Sequence, residues 1–154
     1  MQENQFVFAD LSTYDLNIAR AFYSDVFQWI YDDADPEYLI AEYRGKQISG
    51  LYETPQKFKD MMMPSFWMSY IQVANIDDIV ENAKILGGII ELVDKDLPIG
   101  KVALIRDPLG AGFTAYEGSL LNSRVENETN SLIWNELFIS DFSKVKTFYE
   151  ELFN

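Results

Sequence analysis

The chain has 154 residues, 48% of them hydrophobic and 15% aromatic, enough to fill the core of a domain of ordinary size. Its 25 acidic against 12 basic residues give a net charge of −13, which repels phosphate backbones and anionic bilayers and so argues against nucleic acid and membrane surfaces as partners. With neither cysteine nor histidine, disulfides, thiolate nucleophiles and zinc–thiolate sites are excluded, and so are the commonest general base and the commonest transition-metal ligand. The acidity itself reads as a solvated surface or as attraction for a cationic ligand. No apolar run approaches the roughly 18 residues of a membrane span, and no secretory pattern opens the chain, so a cytoplasmic location is expected. The sequon Asn127-Glu128-Thr129 therefore has no secretory context.

Phe6 to Leu11 predicts a short strand. From Asp15 to Phe27, Leu16, Ala19, Phe22, Tyr23, Val26 and Phe27 recur at spacings of three and four, predicting an amphipathic helix. Asp35-Pro36 marks a turn, Tyr38–Tyr43 and Gln47–Tyr52 read as strands around Arg44-Gly45-Lys46, and Thr54 to Pro64 carries neither period. Met61–Met63 in that stretch reads as a flexible lid or packing filler. A second strand-helix follows, Phe66–Val73 and then Ile76–Leu86, stopped by Gly87-Gly88. Strands are predicted at Ile89–Val93, Val102–Arg106 and Phe113–Tyr116, divided by Leu97-Pro98-Ile99-Gly100 and Asp107-Pro108-Leu109-Gly110. Glu117 to Asn130 reads as a linker in which Leu120-Leu121 tucks against the domain.

A third start lies near Leu132. A shift of 126 (134 minus 8) aligns Ile133–Asn154 with Val7–Gln28, pairing Asp141 with Asp15, Phe148-Tyr149 with Phe22-Tyr23 and Glu136 with Asp10. A shift of 60 (68 minus 8) places Met68 opposite Phe8 and Asn75 opposite Asp15. The chain thus starts one α+β unit three times.

Asp15-Leu16 followed by Ala21-Phe22-Tyr23 and Val26-Phe27-Gln28-Trp29, then Gly87-Gly88, then Arg106-Asp107-Pro108-Leu109-Gly110, resembles the glyoxalase, bleomycin-resistance and extradiol-dioxygenase (vicinal oxygen chelate) superfamily. Trp134-Asn135-Glu136-Leu137 looks like the opening of a second domain in the tandem glyoxalase-like subgroup. The resemblance implies an α+β fold of paired β-α-β-β-β modules forming a half-open sheet curled around a pocket, followed by an orphan strand-helix. Residues 1–118 would form that domain, 119–130 a linker and 131–154 the truncated start of another.

Enzymes of the superfamily hold a divalent metal on four strand residues. By the resemblance, those positions fall on Phe8, Met68, Thr114 and a residue near Gly50, none of them a usual ligand, so neither a metal nor any other cofactor is expected. Only a shifted set of carboxylates would hold an ion, and it would favour magnesium, calcium or manganese. If Phe8, Met68 and Thr114 face the pocket, strand alternation adds Asp10, Tyr70, Gln72, Gly112 and Tyr116, and Tyr52 if Gly50 also faces in. Singly, Phe8, Met68 and Tyr116 read more readily as core packing than as pocket residues.

Asp10 differs, because a carboxylate among Phe6, Val7, Phe8, Ala9 and Leu11 is costly to bury unless paired or used. It could act as a base, bind a cation, or serve as a hydrogen-bonded structural group; Tyr70 is the candidate proton donor. The expected function is a metal-free glyoxalase-like protein that sequesters or senses an aromatic or cationic small molecule. The alternative is a lyase or oxygenase-type enzyme with an atypical or absent metal site, and a third possibility is an incomplete piece of a two-domain protein. The apolar helix face of Val145, Phe148, Tyr149 and Leu152 needs cover, which predicts a homodimer through Ile133–Asn154 that deletion of residues 131–154 would abolish.

Overall fold

A computed structural model describes residues 3–32, 35, 37–123 and 129–153. Pro36 of the expected turn, Asn127 and Glu128 of the sequon, and Asn154 lie outside the described residues. The chain divides into two compact units, Phe8–Met68 with Ser123–Trp134, and Met1–Val7 with Ser69–Asn122 and Asn135–Asn154.

The first module runs β1 (Phe6–Thr13), α1 (Leu16–Phe27), β2 (Ile30–Asp32), β3 (Tyr38–Tyr43) and β4 (Lys46–Glu53). Asp15 starts α1 because its carboxylate accepts from the Ile18 amide, and Gln28 ends it in the left-handed region at φ 58°. The strands pair in the order β2-β3-β4-β1, antiparallel except for the parallel β4-β1 ladder. Leu11, Leu39, Ala41 and Leu51 point to the α1 side, where Ala19, Trp29, Tyr23 and Phe27 close the core. Trp29 is fixed there by donating Nε1–H to the Asn130 carbonyl at 2.8 Å, while the Asn130 amide donates back to Phe27 O at 2.9 Å. Between Thr54 and Pro64 the chain forms a short helix, α2 (Gln56–Asp60), which five residues are too few to reveal by periodicity. Met61 and Met62 after it are exposed, and Tyr14 Oη donates to the Met63 carbonyl at 2.7 Å.

The second module repeats the plan as β5 (Phe66–Gln72), α3 (Ile76–Ile85), β6 (Ile89–Leu97), β7 (Gly100–Arg106) and β8 (Gly112–Glu117). Asn75 caps α3 as Asp15 caps α1, and Gly87 leaves it at φ +87°, a conformation open to glycine. The ladders run β6-β7-β8-β5, with the same single parallel pairing, β8-β5. Two β-α-β-β-β modules of one α+β class are therefore present, as the sequence predicts. Ile71, Ala103, Ile105, Phe113 and Ala115 face α3 and the core.

The third start keeps its helix and loses its strand. α4 (Phe142–Leu152) begins at Asp141, whose carboxylate accepts from the Ser143 amide, completing three capped helices in one register. Residues 133–139 form no strand, since an extended segment gains ladder hydrogen bonds only where another strand lies beside it. Along this segment and into α4, Ile133, Trp134, Leu137, Phe138 and Phe142 are all exposed. The cover that the sequence assigns to a partner chain comes, for α4 itself, from its own unit: Phe148 and Leu152 are buried with Ile76, Ile79, Ala83 and Phe113, Tyr149 packs against them, and Val145 is buried. Asp107 ties the same helix down. Its buried carboxylate accepts from the Leu109 and Ala111 amides at 2.8 and 3.0 Å and from Tyr149 Oη at 3.1 Å. Among the described residues, no helix is long and apolar enough to cross a membrane.

Candidate functional site

The β1/β4 ladder pairs Asp10 with Gly50 and Ser12 with Tyr52, on the face away from α1. The β5/β8 ladder pairs Tyr70 with Thr114 and Gln72 with Tyr116 on the corresponding face of the second module. The two registers coincide, so Gly50 occupies in the first module the position that Thr114 holds in the second. That settles which residue near position 50 is the counterpart of Thr114.

In the first module, Asp10 is only 2% exposed. Tyr38, at the start of β3, donates its hydroxyl to Asp10 Oδ2 at 3.0 Å. The Tyr38 and Tyr52 rings lie stacked, 6.0 Å apart between centroids and 9° from parallel. Ser12, also buried, donates to Thr54 Oγ1 at 3.0 Å. Gly50 makes the arrangement possible, since a Cβ there would stand 2.1 Å from Tyr38 Oη and 2.5 Å from its Cζ. Burial first, and then the charge of Asp10, push the Tyr52 phenol up to about 12, while a hydrogen bond with Ser12 opposes them. The geometry yields a carboxylate held by one phenol and flanked by a second. Tyr38 escaped the sequence reading, because counting back from Arg44-Gly45 along the hairpin puts it opposite Leu51, and only a bulge between Ala41 and Glu42 shifts the register to bring it opposite Tyr52.

In the second module the candidate residues have structural employment. Tyr116 is fully buried, and its hydroxyl donates to the Ile99 carbonyl at 2.7 Å while accepting from the Leu120 and Leu121 amides at 3.1 and 3.3 Å. That phenol fastens the β6–β7 turn and the 3₁₀ turn Leu120–Ser123, leaving no donor for a ligand. Gln72, buried, donates Nε2–H to Val73 O at 3.2 Å, and its backbone bonds with Asn4 and Gln5. Tyr70 is half-buried and packs with the Tyr116 and Val102 cluster, and Thr114 is buried. Phe8 and Met68 are both buried.

A metal does not fit these residues. Gly50 has no donor and the Tyr38 phenol stands where a side chain from it would begin; Phe8 offers none, and Met68 and Thr114 offer a thioether and a hydroxyl. Among the described residues, no three Asp or Glu side chains gather closely enough to hold an ion.

The matched modules, with their shared strand order and register, form a fold of the vicinal-oxygen-chelate type, and relatives named glyoxylase together with extradiol-dioxygenase and glyoxalase structural neighbours support the glyoxalase (vicinal oxygen chelate) superfamily. It is 30% identical over 148 residues to the putative glyoxylase CFP32 of Mycobacterium tuberculosis (strain CDC 1551 / Oshkosh), a match covering 92% of this chain and 56% of the relative. It is 26% identical over 156 residues to the anthracycline biosynthesis protein DauV of Streptomyces sp. (strain C5), covering 91% and 57% respectively. The chain thus spans little more than half the length of these curated relatives. Among solved structures, homoprotocatechuate 2,3-dioxygenase from B. fuscum superposes with a TM-score of 0.56 at 20% identity, over 77% of this chain and 33% of that one. The Mn(II)-bound glyoxalase from Novosphingobium aromaticivorans gives 0.54 at 13%, over 80% and 40%. No family model matches.

Among the described residues, burial holds three phenols above their ordinary range. Burial raises Tyr31 and Tyr52 to about 12 and raises Tyr149 further, with the Asp107 carboxylate adding to the last. A phenol whose folded pKa exceeds its unfolded value of about 10 contributes stability that is complete below pH 10 and lost as pH rises through the folded value. The urea midpoint is expected to fall between pH 10 and 12, and Tyr52→Phe should make that fall shallower; an unchanged pH profile in the variant would count against the assignment.

Proposed function

We propose that the chain is a cytoplasmic, metal-free, glyoxalase-like small-molecule-binding protein that sequesters or senses an aromatic or cationic ligand, in the manner of bleomycin-resistance proteins. The observation that carries this reading is the Gly50 position, empty of any donor and overlain by Tyr38, beside a buried Asp10. A family position without ligands cannot chelate two substrate oxygens through an ion, whereas a carboxylate with two aromatic rings suits recognition by charge and ring contact. The similarity to a putative glyoxylase favours a second reading, an enzyme with an atypical metal site. Elemental analysis separates them. After dialysis against chelator-free buffer the protein is expected to carry far less than one equivalent of manganese, iron, nickel or zinc, and a retained stoichiometric ion would sink the metal-free reading.

We further propose that residues 131–154 are the opening of a second domain of the same kind, a reading supported by the Asp15, Asn75 and Asp141 register and by relatives of nearly twice the length. A second copy of the chain is the proposed partner for the exposed Ile133, Trp134, Leu137 and Phe138.

A further inference from the structure

We infer that the first-module position has been rebuilt as a seat for an organic ammonium group, with Tyr38 the residue that makes it so. This rests on the small-molecule-binding reading and commits it to one ligand class. Tyr38 sits where a ligating side chain from position 50 would stand, and only a glycine there leaves it room. Its hydroxyl is oriented by donation to Asp10 Oδ2. A phenol that donates a hydrogen bond to a carboxylate in a low-dielectric surrounding becomes more electron-rich at its oxygen and across its ring. The buried charge of Asp10 is thereby expressed through Tyr38. Both Tyr38 and Tyr52 are half-buried, so their rings remain partly accessible while Asp10 is not. A metal ion would need several converging charged donors, and Asp10 is the single carboxylate of this cluster. An alkylammonium needs no such set, because ring faces and one nearby negative charge suffice.

Isothermal titration of the full chain with phenethylammonium, and with 2-phenylethanol as its neutral counterpart, tests the seat. The ammonium should bind at least about threefold more tightly than the alcohol, the smaller end of a cation–ring contact. Asp10→Asn, which keeps the shape and removes the charge, should bring the two within a factor of about two. Gly50→Ala, whose Cβ drives the phenol from the carboxylate, should do the same. Circular dichroism confirms that each variant folds, and Tyr38→Phe substitutes for either that does not, with the same loss of preference expected. Equal affinity in the wild type, or a preference that survives Asp10→Asn, overturns the seat while leaving small-molecule binding intact. Failure of both probes overturns the seat as well, and only failure across a wider panel of aromatic compounds removes the binding reading itself.

Discussion

Asp107→Ala is expected to lower the folding stability by about 3 kcal/mol, read as a shift of the urea midpoint. Asp107 is fully buried, and its two oxygens take three hydrogen bonds, two from the loop of its own Asp-Pro-Leu-Gly turn and one from Tyr149 on α4. Alanine would strand three donors at once, and a buried donor without an acceptor costs far more than the net worth of the bond it lost. Asp107→Asn should cost less, because a carbonyl oxygen can still receive the Leu109 and Ala111 amides. Tyr149→Phe removes a single bond and should cost about 1 kcal/mol. If Asp107→Ala cost no more than Tyr149→Phe, the turn would not depend on this carboxylate.

Phe148→Ala is expected to cost about 3–5 kcal/mol, whereas Phe22→Ala, its counterpart two repeats earlier, should change stability by less than about 0.5 kcal/mol. Phe148 is 2% exposed and packs edge-on to Phe113, with ring centroids 6.4 Å apart. It also stands so close to Gly88 that a Cβ there would lie 2.9 Å from its ring. Phe22 is 55% exposed on α1. The same residue in the same helical register is thus a core anchor in one copy and a surface residue in another. Comparable losses from the two substitutions would show that α4 is not docked as described.

Those paired positions also show what a sequence can and cannot convey. The shared register of Asp15, Asn75 and Asp141 was legible in the sequence, and the structure makes each a helix cap, a local role that needs one acceptor within three residues of the amides it serves. The strand faces followed from alternation. β2, with three residues, and α2, with five, are too short to carry a period. The strand expected at the third start failed for a different reason, since pairing depends on a neighbour rather than on the segment's own composition. At the candidate site, Asp10 stood out as a charge in an apolar strand. Tyr38 did not, because its meaning comes from Gly50, and a glycine advertises absence of side chain without saying what fills the space. The bond between Tyr149 and Asp107 spans 42 residues and has no local signature at all.

The exposed run from Ile133 to Phe142 gives the acidity a second meaning. Trp134 and Phe138, 73% and 88% exposed, are adhesive surfaces on a molecule whose net charge is −13. Like charge keeps such surfaces apart over about a Debye length, roughly 8 Å at physiological ionic strength. The colloidal behaviour of the chain is therefore a contest between a short aromatic segment that attracts its own kind and a long-ranged repulsion that salt weakens, with ionic strength deciding how often two molecules touch.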